Sequence, residues 1–156
     1  MKSKIILIAT FILSLNVFHT SAQSSSTDQI GLRLGGFSGF NFRHITESNF
    51  GIDISILGNV PHDWTLVSLL AEKHFPLGQN FVFYGGIGGY FSYAFDYHDK
   101  KHLFEAHSQV GLEGIIGLDY YIANTPINIG IDIRPRFNYL VYRYPWDGGI
   151  TFRYVF

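Results

Sequence analysis

The chain has 156 residues, of which 47% are hydrophobic and 17% aromatic, with 17 glycines and no cysteine. Its 11 basic and 12 acidic residues give a formal net charge of −1, which argues against a nucleic-acid partner. The absence of cysteine excludes disulfides as a source of stability, and the length fits a single domain.

The N-terminus has the pattern of a secretory signal. Two lysines precede an apolar run from Ile5 to Val17, and the small residues of Thr20-Ser21-Ala22 follow. This pattern predicts a cleavable signal peptide over 1–22, with the cut before Gln23, and a domain over 23–156. An uncleaved N-terminal anchor is the alternative, and the small polar residues that follow the apolar run argue against it.

The remaining composition is unusual for a soluble exported domain. Removing the two N-terminal lysines leaves 9 basic residues against 12 acidic ones, a net charge of −3, and only three lysines. Soluble surfaces normally carry many Lys and Glu residues. No later stretch has the ~18 consecutive apolar residues of a spanning helix. Abundant aromatic residues and glycines without such a helix are typical of a transmembrane β-barrel.

Apolar and polar residues alternate with a period of two along most of the chain, which predicts strands. Ile127 to Tyr139 is the clearest case, because every odd position is Ile, Pro or aromatic and every even position is Gly or polar. The pattern predicts eight strands and an all-β, closed, antiparallel up-and-down barrel. Their expected ranges are 29–37, 39–46, 50–58, 64–75, 80–95, 107–122, 126–139 and 148–156.

The connections between these strands fall into two classes. Short turns are expected at 47–49, 76–79 and 123–125, and longer loops at 59–63, 96–106 and 140–147, with a tight hairpin at Ser38-Gly39. If the N-terminus starts in the periplasm, the short turns lie on the periplasmic side. Such asymmetry is expected of outer-membrane barrels.

The residue types on the polar face of the strands indicate which of the two faces is buried. A soluble lipocalin-like barrel would turn its isoleucines inward. The polar face here combines arginines with carboxylates and has no lysine, which favours buried, forked ion pairs. We therefore predict a packed polar lumen and an apolar outer face against lipid. The predicted lumen network is Arg33, Arg43, Asp53, Glu72, His74, Glu113, Asp119, Asp132, Arg134, Arg136 and Arg153.

The predicted lumen residues also bear on transport. An eight-stranded barrel is just wide enough for its own side chains, and these charges with Tyr84 and Tyr90 would fill it, so an open diffusion pore is not expected.

Aromatic residues near the strand ends suggest girdles at the two membrane interfaces. The expected girdles are Phe50, Phe75, Phe81, Tyr120 and Phe156 on the periplasmic side, and Phe40, Phe91, Phe95 and Tyr139 on the outer side.

The last ten residues, Asp147 to Phe156, resemble the C-terminal β-signal of outer-membrane barrels, in which a polar residue and glycine precede alternating apolar positions. Asp147 and the predicted insertion signal of Gly149, Phe152, Tyr154 and Phe156 carry the match. The resemblance implies that the barrel-assembly machinery is a partner during biogenesis.

The wider pattern resembles the small outer-membrane β-barrel family, the porin-like or OmpA/OmpX-like barrel domains. Ile30–Gly35, Gly111–Tyr120, Pro126–Pro135 and the C-terminal strand carry this resemblance. It implies an outer-membrane barrel with a structural or binding role at the cell envelope, in contact with outer-membrane lipid. It names no extracellular ligand and no cofactor.

Two further interpretations concern a possible metal site and a possible catalytic site. His98 and His102 are four residues apart and would bind a transition metal if their loop were helical, although a solvated polar loop is favoured. A lipid-modifying enzyme could use His107 and Ser108 with Glu105 or Glu113. Adjacent strand residues point to opposite faces, so His107 and Ser108 should not contact each other, and no catalytic residues are predicted.

Overall fold

The computed structural model describes residues 26–59, 63–94, 107–137 and 146–156. These residues form eight strands. The strands are β1 (Thr27–Gly35), β2 (Ser38–Ile45), β3 (Phe50–Asn59), β4 (Trp64–Pro76), β5 (Phe81–Ala94), β6 (His107–Tyr121), β7 (Ile127–Phe137) and β8 (Trp146–Val155). No helix among the described residues is long and apolar enough to cross a membrane.

The strands pair in chain order, and β1 pairs with β8 to close an antiparallel barrel. The predicted fold class is therefore confirmed. Backbone hydrogen bonds between Asp28 and Phe156 bring the first and last strands together at one end. The turns after β2, β4 and β6 lie at this same end, which we call the short-turn end. The opposite end, the loop end, carries the turn between β1 and β2 and the strand ends Asn59, Trp64, Ala94, His107, Phe137 and Trp146.

Local backbone chemistry explains the short turns. Each contains one residue in the left-handed region, namely Asn49 (φ 59°), Gly78 (φ 89°) and Asn124 (φ 59°). Glycine and asparagine adopt this conformation at low cost, so they can reverse the chain within a few residues. The turns thereby fix the register of three of the antiparallel pairs.

Several strand boundaries differ from the sequence prediction. The tight turn lies at Gly36-Phe37, and Ser38 already belongs to β2, because it pairs with Gly58 of β3. Its hydroxyl also accepts from the Gly35 N–H and donates to the Gly35 carbonyl across the turn. β8 begins at Trp146, two residues before the predicted start. The predicted signal peptide lies outside the described residues.

The two faces of the wall have opposite chemistry. Ile131 on β7 is 55% exposed on the outer face, whereas its neighbour Asp132 is 4% exposed in the lumen. The isoleucines of β3 also face outward, and Asp53 between them is buried. A lipocalin-like barrel would require the reverse orientation.

Glycines on the lumen face make room for the largest inward side chains. A Cβ atom at Gly149 would lie 2.6 Å from Cζ of Arg33, and one at Gly117 would overlap the phenol ring of Tyr84. Close packing leaves no slack for such atoms. These two glycines therefore let an arginine and a tyrosine cross the lumen of a narrow barrel.

Candidate functional site: the lumen

All eleven residues of the predicted lumen network are buried inside the barrel. They come from seven of the eight strands, β5 being the exception, and the structure brings them together into ion pairs. The lumen is therefore the part of the described chain where charged side chains converge.

The pairs near the short-turn end centre on Asp119. Its two carboxylate oxygens accept hydrogen bonds from Nη1 of Arg43 at 2.7 Å and from Nη1 of Arg153 at 2.8 Å. Nε of Arg43 also lies 2.9 Å from Glu72 Oε2. His74 contacts the same Glu72 oxygen through Nε2 at 3.1 Å. Side chains of β2, β4, β6 and β8 are thereby joined across the barrel.

The pairs in the middle of the lumen centre on Asp132. Arg33 donates to its Oδ1 from Nη2 at 2.7 Å, and Arg134 donates to the same oxygen from Nε at 3.3 Å. The Thr151 hydroxyl donates to the other oxygen at 3.4 Å. This carboxylate therefore links β1, β7 and β8.

The pairs toward the loop end centre on Asp147. Its Oδ2 accepts from Nη1 of Arg33 at 2.9 Å and from Nη2 of Arg136 at 3.1 Å. Arg136 also donates from Nε to Glu113 at 2.9 Å. Two arginines thus share one carboxylate, and the chain of pairs continues from β1 to β6.

Asp53 connects the two parts of the network. It lies 3.6 Å from Nε of Arg43 on one side and 3.7 Å from Nη2 of Arg134 on the other. Asn41 and Ser55 donate to its oxygens at 2.8 and 2.7 Å. With these contacts, an unbroken series of ion pairs runs from Arg153 to Glu113. The longest links in it are the two at Asp53.

The network contains one carboxylate that the sequence did not predict. Asp147 was expected in a loop and only as part of the C-terminal signal, yet its side chain is buried in β8. The described lumen therefore holds six carboxylates and five arginines. Extending the alternation of Thr151 and Arg153 backward by four residues would have placed Asp147 on the inward face.

Aromatic side chains extend the network to β5. The Arg43 guanidinium lies 4.3 Å from the ring centre of Tyr84, and Arg136 lies 4.5 Å from that of Phe37 and 5.9 Å from that of Tyr90. Such cation–aromatic contacts are stronger where water is excluded. All eight strands therefore contribute side chains to the packed interior.

The lumen toward the loop end also buries a cluster of apolar and aromatic side chains, most of which the sequence did not predict. The cluster lies beside Arg136 and is formed by Phe37, Leu57, Trp64, Leu66 and Tyr90. A second cluster of Leu70, Tyr84 and Ile115 lies deeper. β4 is apolar on both faces over much of its length, so alternation could not reveal which residues point inward. The predicted packed polar lumen is therefore partly apolar in this region.

The outer face is apolar over most of its height. Its charged side chains on the described strands are Asp28, His44 and Lys73, and all three lie near the short-turn end. The described aromatic residues predicted for the girdles are exposed on the outer surface: Phe50, Phe75, Phe81, Tyr120, Phe156, Phe40 and Phe91. Phe95 and Tyr139 lie outside the described residues.

The other candidate sites receive no support from the described residues. His98, His102 and Glu105 lie outside them, and the described part of the chain contains no group of three or more potential metal ligands. Ser108 is exposed on the outer face, whereas Glu113 is buried in the lumen and paired with Arg136. Ser108 and Glu113 thus lie on opposite sides of the wall.

The predicted insertion signal lies in β8 and just after it. Phe152 and Phe156 are exposed, Tyr154 is half-buried, and Gly149 faces Arg33 in the lumen. Their role in insertion stays a prediction.

No family model and no curated protein sequence matches the chain. Its fold is similar to that of the N-terminal β-barrel domain of Pseudomonas aeruginosa OprF, with a TM-score of 0.68 and 15% identity over 85% of this chain and 98% of that domain. It is also similar to the Yersinia pestis outer membrane protein Ail, with a TM-score of 0.52 and 16% identity over 84% of this chain and 98% of Ail. The chain therefore has the fold of small outer-membrane barrels.

Proposed function

We propose that the chain is an integral protein of a bacterial outer membrane, with a plugged lumen and a structural or binding role at the cell envelope. One observation carries the proposal: the barrel buries its ion pairs inside and exposes its isoleucines outside. In water, so large an apolar surface would be unfavourable, because monomeric soluble proteins rarely expose contiguous apolar patches above a few hundred Å². A bilayer removes this cost, and a closed barrel satisfies its backbone hydrogen bonds internally.

The packing of the lumen supports a role other than diffusion. Four of the five arginines that cross it, Arg33, Arg43, Arg134 and Arg136, each lie within ion-pair distance of two or more carboxylates, and Arg153 pairs with Asp119. The apolar cluster packs beside Arg136 toward the loop end. Moving any of these charges would leave its partners buried and unpaired, at a cost of several kcal/mol. We therefore infer a rigid barrel that presents its loops at the envelope surface.

The location is tested by fractionating cells that express the full chain. We expect the protein in the outer-membrane fraction and, on gels run without boiling, a migration different from that of the boiled sample. Recovery as a soluble periplasmic or secreted protein would contradict the proposal.

The plugged lumen is tested by electrical recording. The purified protein in planar bilayers should show no stable large-conductance steps. Reproducible porin-like conductance would contradict the plugged lumen and leave the membrane location standing.

Assembly provides a separate test. Deleting Phe156 removes the terminal aromatic residue of the predicted insertion signal, so the protein should fail to reach the outer membrane and should be degraded or aggregate in the periplasm. Leu77→Ala, at an exposed apolar position in a short turn, is the control and should insert normally. Normal levels of the deletion variant would show that recognition by the assembly machinery does not depend on this residue.

A further inference from the structure

We propose that the outer face around the junction of β1 and β8 is a phospholipid site, in which a groove takes an acyl chain and the Asp28–His44 pair takes an ammonium-bearing phosphate headgroup such as phosphoethanolamine. This inference rests on the proposed function, because it requires the outer face to contact lipid. It adds a preferred lipid to a surface that otherwise has only general affinity for hydrocarbon.

The groove lies on the outer face where β1 meets β8. Six apolar side chains line it: Ile30, Leu32, Phe40, Ile127, Phe152 and Tyr154. Gly31 and Arg153 also line it, and since their side-chain positions point into the lumen, backbone forms the floor. Its volume is about 360 Å³, and its lining is apolar, as an acyl-chain segment requires.

A polar pair lies next to the groove on the same outer face. Asp28 precedes Ile30 by one outward position on β1, and His44 stands directly opposite Asp28 on β2. Nδ1 of His44 lies 2.6 Å from Oδ1 of Asp28, and the two side chains are 40% and 38% exposed. Within the described residues, Oδ2 of Asp28 and Nε2 of His44 have no hydrogen-bond partner. Both atoms are available to a ligand.

The position of the pair defines the headgroup. Successive outward residues on a strand are separated by about 6.6 Å, so a lipid chain in the groove would bring its headgroup to the pair. The Asp28 carboxylate suits an ammonium group, and the His44 imidazole suits the neighbouring phosphate. A headgroup with a phosphate but no cation would place its charge beside Asp28 without compensation. The pair therefore favours a zwitterionic ammonium lipid over an anionic one.

The test uses quenching by brominated lipids. The chain has no native cysteine, so a single cysteine at Leu34, the next outward residue beyond the groove on β1, takes a fluorophore cleanly. A cysteine at Leu69, on β4 across the barrel, is the control site. Each protein is reconstituted in vesicles that contain increasing fractions of brominated phosphatidylethanolamine or brominated phosphatidylglycerol with the same chains.

At Leu34, half-maximal quenching should occur at about a two- to fivefold lower fraction of brominated phosphatidylethanolamine than of brominated phosphatidylglycerol. This range corresponds to the free energy of a partly exposed polar contact. At Leu69 the two lipids should quench alike. Asp28→Asn should abolish the preference at Leu34, whereas Glu47→Gln, which removes an exposed turn carboxylate at the same end, should preserve it. His44→Gln provides a second variant if Asp28→Asn does not assemble.

Equal quenching by both lipids at Leu34, or a preference that survives both Asp28→Asn and His44→Gln, would overturn the lipid site. In either case quenching at both labelled positions would leave the membrane location intact. An absence of quenching at Leu34 and Leu69 alike would contradict the membrane location itself, and the lipid site with it.

Discussion

Each strand presents two chemically different faces, and β7 shows the contrast over its whole length. Outward, Ile127, Ile131 and Ile133 are exposed and make no polar side-chain contacts. Inward, Asp132 and Arg134 are buried and paired with each other. Outer residues need only be apolar, because any hydrocarbon side chain suits a lipid environment. Inner residues are interdependent, because each charge needs its partners in place.

The largest effect is expected from removing a carboxylate in the lumen. Asp119→Ala leaves Arg43 and Arg153 without their shared partner, and breaking a buried pair costs about 3–5 kcal/mol. Urea unfolding of the protein in lipid vesicles measures the loss. Glu47→Gln, in the exposed turn after β2, is the control and should stay within ~0.5 kcal/mol of the parent. A loss for Asp119→Ala as small as that of the control would mean that the network does not stabilise the barrel.

A smaller loss of stability is expected from placing a charge on the outer face. Ile131→Arg would put a guanidinium into the hydrocarbon at a cost of about 2–4 kcal/mol, whereas Leu77→Arg in the short turn after β4 should cost about 0–1 kcal/mol. The same vesicle unfolding assay compares them. If the two substitutions cost the same, the outer face of β7 does not lie at the bilayer centre.

The smallest change in stability is expected when the same substitution is made at two neighbouring residues on opposite faces of the wall. Ile115 is 1% exposed and points into the lumen, and Ile116 is 57% exposed on the outer face. Ile115→Val should cost about 0.5–1.5 kcal/mol, because it leaves a gap in a packed interior. Ile116→Val should cost less, since lipid chains can fill the space. A larger loss at Ile116 than at Ile115 would reverse the assignment of the two faces.

The sequence predicted the fold because alternation was clear where one face is polar, as in β7 and β8. Prediction failed where both faces are apolar. Leu66 and Leu70 on β4 point into the lumen, but their outward neighbours are Val67 and Leu69, so no pattern separates the two sets. Those inward leucines, with Phe37 and Trp64, form the apolar part of the lumen that the sequence analysis missed.

The choice of ion-pair partners could not be predicted from the sequence, for a different reason. The sequence indicated which charges share a face, but partner choice depends on register and on side-chain reach across the barrel. Arg33 pairs with Asp132 and Asp147, which lie 99 and 114 residues away along the chain. Asp147 was assigned to the loop at 140–147, and the β7–β8 pairing places it in the strand, opposite Arg134.

If the barrel lies in a bilayer, hydrocarbon contacts the isoleucine face and not the charged face. The most direct measurement reconstitutes the unmodified protein with a phospholipid that carries a photoreactive group in its acyl chain, then maps the adducts by mass spectrometry after illumination. We expect adducts on outward residues such as Ile54 and Ile131, and none on Ser55 or Thr151 in the lumen. Adducts at Ser55 or Thr151, or none on the outward residues of any strand, would contradict this orientation of the two faces.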